Sequence, residues 1–287
     1  MIPIKALRNG FRLPVLWLWT WQIGGRMEPD TTNDIDSIDA IRGCIDAGII
    51  HIDTAELYWA GHTEEIIREA TFGYDRSSLF LTSKVKPQNL SFHDCIHACE
   101  MSLRRLGTSY LDLYLIHGKN PDIDLAETIW ALDELVKRGL VRHIGVSNFS
   151  TTSLQYAQNC TTNKIVLNQC HYNLFYREPE VSGLLSYCQE NDILLQAWRP
   201  LQLGELSTRE FPSLQKTSVK YGKTPIQIAL QWLISQKNVT TIVKMRSPEH
   251  REENLWVFWW NMDPEDLREL WRDFEEQYSV SNREPLL

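Results

Sequence analysis

The feature that most constrains this chain is a regular alternation of short apolar runs and amphipathic segments along its whole length. Apolar runs typical of buried strands lie at 16–19, 49–52, 79–83, 111–116, 141–146, 165–168, 193–197 and 240–243. Amphipathic segments, in which apolar residues recur with the period of an α-helix, follow these runs at 34–47, 63–70, 91–106, 125–138, 152–159, 179–190, 224–235 and 248–257. Because repeated strand–helix units with short loops suit a closed parallel sheet better than an open one, the pattern predicts an α/β fold, a (β/α)8 TIM barrel.

Further segments decorate this barrel. Apolar residues 4–7 and 11–16 flank Asn9-Gly10, which predicts an N-terminal β-hairpin with a type I′ turn. Two extra helices are predicted at 211–221 and 264–276. Because 287 residues suit one large barrel and no linker-like segment interrupts them, we expect a single domain over 1–287.

Composition narrows the class of protein. A net charge of -8 argues against a protein that coats nucleic acid or anionic membranes. No apolar run approaches the roughly 18 residues of a membrane span, and the start lacks a signal-peptide layout. We therefore expect a cytoplasmic protein that binds neither nucleic acid nor membrane. We also expect it to be a monomer or weak dimer.

The cysteines give no metal or disulfide pattern. The 6 cysteines contain no CxxC pair, which favours reduced thiols. The group His93, Cys95, His97 and Cys99 is more typical of an ordinary amphipathic helix than of a metal site, because the cysteines point away from the histidines. We expect no metal.

Polar and aromatic residues follow the predicted strands, most of them directly and Tyr58 five residues after Asp53. They are Asp53, Tyr58, Lys84, His117, Ser147, Asn148, Gln169, Trp198 and Lys244. Each alone has a structural alternative: a helix cap for Asp53, a buried ring for His117, a packed loop aromatic for Tyr58. Lys84, however, ends an apolar strand and needs a carboxylate partner, which Asp53 on the neighbouring strand can supply. Since the carboxyl ends of barrel strands form one mouth, the set together favours an active site.

Several segments resemble, in order, the motifs of one enzyme family. They are 53–58 with 61–65, 81–84, 103–117, and 145–149, continued by 169–172, Pro248, Glu253 and Asn254. On these residues the chain resembles the aldo-keto reductase superfamily over almost its whole length. The resemblance implies an NAD(P)H-dependent oxidoreductase that reduces an aldehyde or ketone to an alcohol.

The same resemblance implies roles for the residues at the mouth. Tyr58 would be the general acid, with Lys84, held by Asp53, lowering the pKa of its phenol and His117 orienting the carbonyl oxygen. The substrate pocket would be formed by Trp21, Trp59 and His117.

The resemblance also implies a nicotinamide cofactor. Its binding residues would be Thr20, Trp21, Asp53, Ser147, Asn148, Gln169, Trp198, Arg199, Leu201, Lys244, Met245, Arg246, His250, Glu253 and Asn254. Ser147, Asn148 and Gln169 would bind the carboxamide, and Trp198 would stack on the ring. Arg246 would bind the 2′-phosphate, which favours NADPH; NADH stays possible, because the segment mixes features of both common versions of the motif.

One departure from the family leaves other functions open. Trp17 and Trp19 stand where the family usually has small residues, close to the expected cofactor. Large rings there predict overpacking of about 1 to 3 kcal/mol each unless their neighbours are small. A first alternative is therefore an NADPH-binding regulatory or sensor protein with little turnover. A second is a lyase that forms a Schiff base on Lys84.

Overall fold

Eight parallel strands close into a barrel in the computed structural model, which describes residues 2–25, 28–208, 210–270, 274 and 280–287. In chain order the strands are β1 (Ile4–Ala6), β2 (Arg12–Pro14), β3 (Leu16–Trp19), β4 (His51–Asp53), β5 (Phe80–Val85), β6 (Leu111–Ile116), β7 (Val141–Ser147), β8 (Ile165–His171), β9 (Leu194–Trp198) and β10 (Val239–Val243). Strands β3 to β10 pair in sequence order, and β10 closes the ring by pairing with both β9 and β3. This confirms the predicted TIM barrel.

Helices cover the outside of the barrel. They are α1 (Asp34–Asp46), α2 (His62–Thr71), α3 (Phe92–Leu106), α4 (Leu125–Lys137), α5 (Thr151–Asn159), α6 (Glu178–Val181), α7 (Leu184–Glu190), α8 (Glu205–Thr208), α9 (Pro212–Tyr221), α10 (Pro225–Ser235), α11 (Pro248–Leu255) and α12 (Pro264–Glu269). The local sequence determines where several helices begin. For example, the Thr224 and Gln227 side chains form a capping box at the N-terminus of α10. Among the described residues, no helix combines the length and apolarity needed to cross a bilayer.

Two helix predictions need comment. The segment 179–190 was predicted as one helix, but it is divided into α6 and α7 at Gly183, whose φ of +77° lies in the left-handed region. The extra helix predicted at 264–276 begins at Pro264 as α12, and its predicted end lies outside the described residues.

The hairpin is present, but its predicted turn type is wrong. Strands β1 and β2 pair antiparallel, and the Gly10 N–H donates to the Leu7 carbonyl at 3.0 Å. A type I′ turn needs positive φ at both central residues, whereas Gly10 has a φ of +90° and Asn9 does not have a positive φ. The connection is longer than two residues because Leu7 and Phe11 turn inward into the barrel core.

Trp17 lies inside the barrel, away from the predicted active-site residues. Trp17 is fully buried, packs on His51 and Phe80 at ring-centroid distances of 5.4 and 5.6 Å, and donates its indole N–H to the Pro14 carbonyl at 2.9 Å. His51 and Phe80 begin their strands, so this ring fills the end of the barrel opposite the mouth. The expectation that Trp17 crowds the cofactor is therefore wrong, because inward-facing residues two apart on β3 lie in different layers of the barrel.

Several predicted mouth residues lie inside the strands rather than after them. Asp53 ends β4, Ser147 ends β7, Trp198 ends β9, and Lys84 and Gln169 lie within β5 and β8. Parallel pairing continues this far along the chain, as at Lys84 with Leu115 and Gln169 with Gln196. These side chains are therefore fixed by strand backbone rather than by loops.

Candidate active site

Lys84, Asp53 and Tyr58 are in direct contact at the mouth of the barrel. The Lys84 ammonium donates to Asp53 Oδ1 at 2.5 Å, to the Thr54 carbonyl at 2.8 Å and to the Tyr58 hydroxyl oxygen at 3.3 Å. The Lys84 and Asp53 side chains are both 0% exposed. Burial alone would lower the pKa of Lys84, but the charge of Asp53 outweighs it and the net pKa is raised, which keeps the ammonium charged.

A strained turn presents Tyr58. Trp59 and Ala60, which follow it directly, have left-handed φ angles of 50° and 54°, and Gly61 has a φ of +92°. Such conformations cost free energy and persist where surrounding contacts fix them. Gly61 lies against the Arg105 side chain, which donates to buried Glu64 of α2 at 2.7 Å, and Glu64 also accepts from Ser83 at 2.6 Å.

The Tyr58 hydroxyl has a second donor that the sequence prediction did not include. The Trp19 indole N–H donates to the Tyr58 oxygen at 3.1 Å. Lys84 and the Trp19 hydrogen bond lower the pKa of Tyr58, but burial, the largest cause, and the charge of Asp53 raise it. The net pKa is therefore raised: Lys84 acts in the predicted direction, but burial outweighs it. Tyr58 is 7% exposed and Trp19 is 8% exposed, so both lie below the surface of the mouth.

His117 lies beside Tyr58. Their rings meet edge to face, with centroids 5.8 Å apart. Loss of hydration, and then the charge of Lys84, lower the pKa of His117 to about 3, so the ring is neutral at physiological pH. Its Nδ1 has no partner among the described residues.

Ser147, Asn148 and Gln169 lie together where β7 and β8 end, but their side chains differ in their contacts. The buried Ser147 hydroxyl has no partner in the described part of the chain. Asn148 Oδ1 accepts the Trp198 indole N–H at 3.0 Å. Gln169 donates to Asp53 Oδ2 at 2.9 Å and to Gln196 Oε1 at 2.6 Å, which connects it to the Lys84–Asp53 pair.

Aromatic rings and one arginine line the mouth near β9. Trp198 stacks on His171 with centroids 4.3 Å apart and an interplanar angle of 13°. The Arg199 guanidinium carbon lies 5.5 Å from the Trp21 ring and 5.6 Å from the Trp198 ring. Trp21 in turn stacks on Trp19 at 5.3 Å.

A groove of about 360 Å³ extends from Trp19 to α11. It includes the predicted cofactor residues Arg199, Leu201, Lys244, His250, Glu253 and Asn254. Lys244 Nζ lies 4.4 Å above the Trp21 ring and also contacts Gln22 Oε1. Arg246 is exposed near the start of α11, whose N-terminus is capped by the Ser247 hydroxyl.

Three other predicted residues do not line the groove. Thr20 is buried and donates its hydroxyl to the Asp53 carbonyl at 2.8 Å. The Met245 side chain is buried in the core between strands and helices. Trp59 packs near Gly25, and its indole nitrogen has no partner among the described residues.

Trp19, Gln22 and Gln196 are the site residues that the prediction omitted. Gln196 had a readable signal, since it is a polar residue within the apolar run of β9. Gln22 lies in a loop, and no sequence pattern indicated that it belongs to the site.

The residues present fit a nicotinamide dinucleotide. The buried Ser147 hydroxyl can bind a carboxamide, and the groove combines an apolar lining with the Lys244 ammonium beside it. The start of α11 adds backbone N–H groups that favour a phosphate.

Comparison with known proteins identifies the class of protein. The Aldo/keto reductase family profile matches residues 16–272, so the chain belongs to the aldo/keto reductase family. This confirms the predicted family and the predicted enzyme class, an NAD(P)H-dependent oxidoreductase.

Individual relatives cover most of the chain. Methylglyoxal reductase YeaE of Escherichia coli is 34% identical over 249 residues, 85% of each chain, and glyoxal reductase of Bacillus subtilis is 32% identical over 92% of this chain and 90% of its own. The solved structure of the thermostable aldo-keto reductase Tm1743 with the inhibitor epalrestat is 40% identical, with a TM-score of 0.90 over 95% of this chain and 100% of its own. A Klebsiella pneumoniae aldo/keto reductase solved with NADP and acetate is 31% identical, with a TM-score of 0.86 over all of both chains.

Proposed function

We propose that this protein reduces small aldehydes or ketones to alcohols with NADPH, and that Tyr58 donates the proton to the carbonyl oxygen. The contact of the Tyr58 hydroxyl with the buried Lys84 ammonium, at 3.3 Å, is the observation that carries the proposal. NADPH supplies the hydride when it is bound, since no side chain can donate one.

The other residues at the mouth support the proton transfer from Tyr58. A phenol of pKa about 10 is a weak acid at neutral pH, so the Lys84 charge helps it to release its proton. Neutral His117 can donate a hydrogen bond to the same carbonyl oxygen and hold it in line with Tyr58. Asp53 keeps Lys84 charged and in place, and Gln169 holds the second oxygen of Asp53.

We assign cofactor binding to the groove and to the ends of β7 and β8. Ser147 and Asn148 would hold the carboxamide, Glu253 and Asn254 the adenine, and Arg246 the 2′-phosphate. A guanidinium suits phosphate geometry, and Arg246 is exposed and lies two residues after Lys244, which lines the groove. The relatives solved with NADP and NADPH support this choice of cofactor.

The named relatives and the shape of the mouth support small aldehydes as the substrate class. Two relatives are named for methylglyoxal and glyoxal, which are small dicarbonyl compounds. Trp21 and Trp198 give this chain an aromatic mouth, and Tyr58 lies below it at 7% exposure. A small carbonyl reaches such a hydroxyl more readily than a bulky one.

The experiment is an NADPH oxidation assay over a panel of carbonyl compounds, from methylglyoxal to bulky ketones, with NADH in parallel. We expect turnover that is highest with small aldehydes and with NADPH. NADPH binding without turnover on any member of the panel would instead favour the regulatory or sensor function. That second function has one observation in its favour, the large Trp19 ring that lines the groove and contacts the Tyr58 hydroxyl.

The lyase alternative has no such support. A lysine forms a Schiff base as a neutral amine, whereas Lys84 is buried against Asp53 with a raised pKa. Borohydride should therefore trap no carbonyl compound on Lys84.

A further inference from the structure

We propose that the Trp19 indole N–H stabilises the phenolate that Tyr58 leaves behind when it gives up its proton, so that Trp19 is a positioning residue for the reaction. This inference rests on the proposed function of Tyr58. It assigns a role to a tryptophan at a position where small residues are expected.

The contact leaves the Tyr58 proton as the group available for transfer. Trp19 Nε1 and Lys84 Nζ lie 3.1 and 3.3 Å from the Tyr58 oxygen. An indole N–H and an ammonium can only donate hydrogen bonds, so the Tyr58 oxygen is the acceptor of both. With its acceptor sites engaged, the Tyr58 hydroxyl keeps its own proton for a third group, which in the reaction is the carbonyl oxygen.

The Trp19 ring is held in the orientation that this role needs. It stacks on Trp21 with an interplanar angle of 15°, and Lys244 Nζ lies 5.6 Å from its centre. Its Cα lies opposite that of Asp53 in the pairing of β3 with β4, so strand backbone fixes the distance to the catalytic pair. The indole therefore needs no reorganisation when charge develops on Tyr58.

Burial increases the importance of this donor. At 7% exposure the Tyr58 hydroxyl has little access to water, so a charge on its oxygen depends on protein donors. Among the described residues, Trp19 and Lys84 are the side chains that donate to this oxygen. The Lys84 ammonium is shared with Asp53 and the Thr54 carbonyl, whereas the Trp19 N–H has Tyr58 as its acceptor.

The test compares Trp19→Phe with Trp17→Phe. Phenylalanine keeps an aromatic ring and removes the N–H in both variants, but the Trp17 N–H donates to the Pro14 carbonyl, remote from Tyr58. Ultraviolet difference titration of the cofactor-free proteins, each against the same protein with Tyr58→Phe, isolates the ionisation of Tyr58. Because removal of a donor destabilises the phenolate, Trp19→Phe should raise the pKa of Tyr58. Trp17→Phe should lower thermal stability and leave the pKa of Tyr58 unchanged.

Kinetics give a second readout. We expect kcat of Trp19→Phe to fall by about tenfold, as for loss of one hydrogen bond to a charged group, while the KM for NADPH changes little. The alkaline limb of its pH profile should move to higher pH. Trp19→His, which keeps a ring N–H, should recover part of the rate.

A third measurement needs no substitution of Trp19. The indole N–H resonances of the wild-type protein and of Tyr58→Phe are compared by NMR, and one of them should move upfield when its acceptor is removed. Once that resonance is assigned to Trp19, this measurement tests the hydrogen bond between Trp19 and Tyr58 even where Trp19→Phe does not fold.

Three results would overturn the inference. They are an unchanged Tyr58 titration in Trp19→Phe, an indole spectrum that Tyr58→Phe does not alter, and a rise in kcat or in NADPH affinity of Trp19→Phe. The last would show that the ring obstructs the groove. A wild-type protein that reduces no carbonyl compound contradicts the proposed function, whereas the titration and the NMR comparison still test the Trp19 contact.

Discussion

Lys84 Nζ lies 2.5 Å from Asp53 Oδ1, and neither side chain has any exposed surface. The two residues belong to neighbouring strands, where Asp53 is paired with Thr82, two residues before Lys84. A buried ion pair of this kind is costly to break, because one uncompensated charge then remains in the core. The same pair that would activate Tyr58 is therefore also a structural element of the barrel.

Lys84→Met should cost both activity and stability. We expect carbonyl reduction to fall by at least about 100-fold, since electrostatic contributions at active sites have that size. The free energy of unfolding should fall by about 3 to 5 kcal/mol, because Asp53 is left buried without a partner. Urea denaturation and the NADPH oxidation assay measure the two effects.

Two controls separate these effects. The double variant Lys84→Met/Asp53→Leu should regain much of the stability and none of the activity. Lys137→Met removes the lysine of an exposed ion pair with Glu134 and should change stability by less than about 0.5 kcal/mol. A fully stable Lys84→Met protein would show that Asp53 does not need Lys84.

Arg246→Ala should change the preference between the two cofactors. We expect the KM for NADPH to rise by about tenfold, as for loss of one hydrogen bond to a charged group, and the KM for NADH to stay the same. Steady-state kinetics with each cofactor measures this. Arg268→Ala, which removes an exposed arginine of α12, is the matched control and should affect neither value. Equal losses with NADPH and NADH would remove Arg246 from the 2′-phosphate site.

Buried histidines should make the protein less stable in mild acid. Burial is the largest cause that lowers the pKa values of His51 and His117 to about 3 and of His171 to about 4. The unfolded chain takes up protons near pH 6.5 while the folded chain does not, so stability is full above pH 6.5 and falls as the pH drops from there towards 4.

Thermal melts between pH 7 and pH 4 test this prediction. His51 lies at the end of the barrel remote from the mouth, stacked on Phe80 at 4.8 Å, so His51→Phe should reduce the pH dependence. Exposed His93 is the control, and His93→Gln should leave the dependence as it is. If His51→Phe lowers the melting temperature equally at every pH, His51 does not contribute to the pH dependence of stability and the prediction is contradicted.

The catalytic contacts could be predicted because strand register places them. Residues at the carboxyl ends of neighbouring parallel strands must lie side by side, so the apolar runs before Asp53 and Lys84 predicted their meeting. Tyr58 and His117 follow their strands closely enough for the same reasoning to hold. The family motifs added the order in which these residues occur along the chain.

Other features depend on packing that the sequence pattern does not contain. The two-residue alternation placed Trp17 and Trp19 on one face, but depth in the barrel decides that the first fills the far end and the second contacts Tyr58. The contact of Gln169 with Asp53 depends on a side-chain rotamer, and that of Gln22 with Lys244 on a loop conformation. The Asn9-Gly10 turn failed as a prediction because inward packing of Leu7 and Phe11 outweighs the local preference of the dipeptide.

The most direct test of the proposed mechanism is the rate at which purified protein oxidises saturating NADPH with methylglyoxal, measured for the wild type, Tyr58→Phe and Tyr114→Phe. Tyr114 is a fully buried tyrosine of β6 that packs in a different core cluster from Tyr58, and Tyr114→Phe is the matched loss of a hydroxyl. The wild type and Tyr114→Phe should turn over at similar rates. Tyr58→Phe should be slower by about 100- to 10,000-fold, the range for loss of a general acid, while it still quenches NADPH fluorescence. A Tyr58→Phe protein as fast as the wild type would contradict the assignment of Tyr58 as the proton donor.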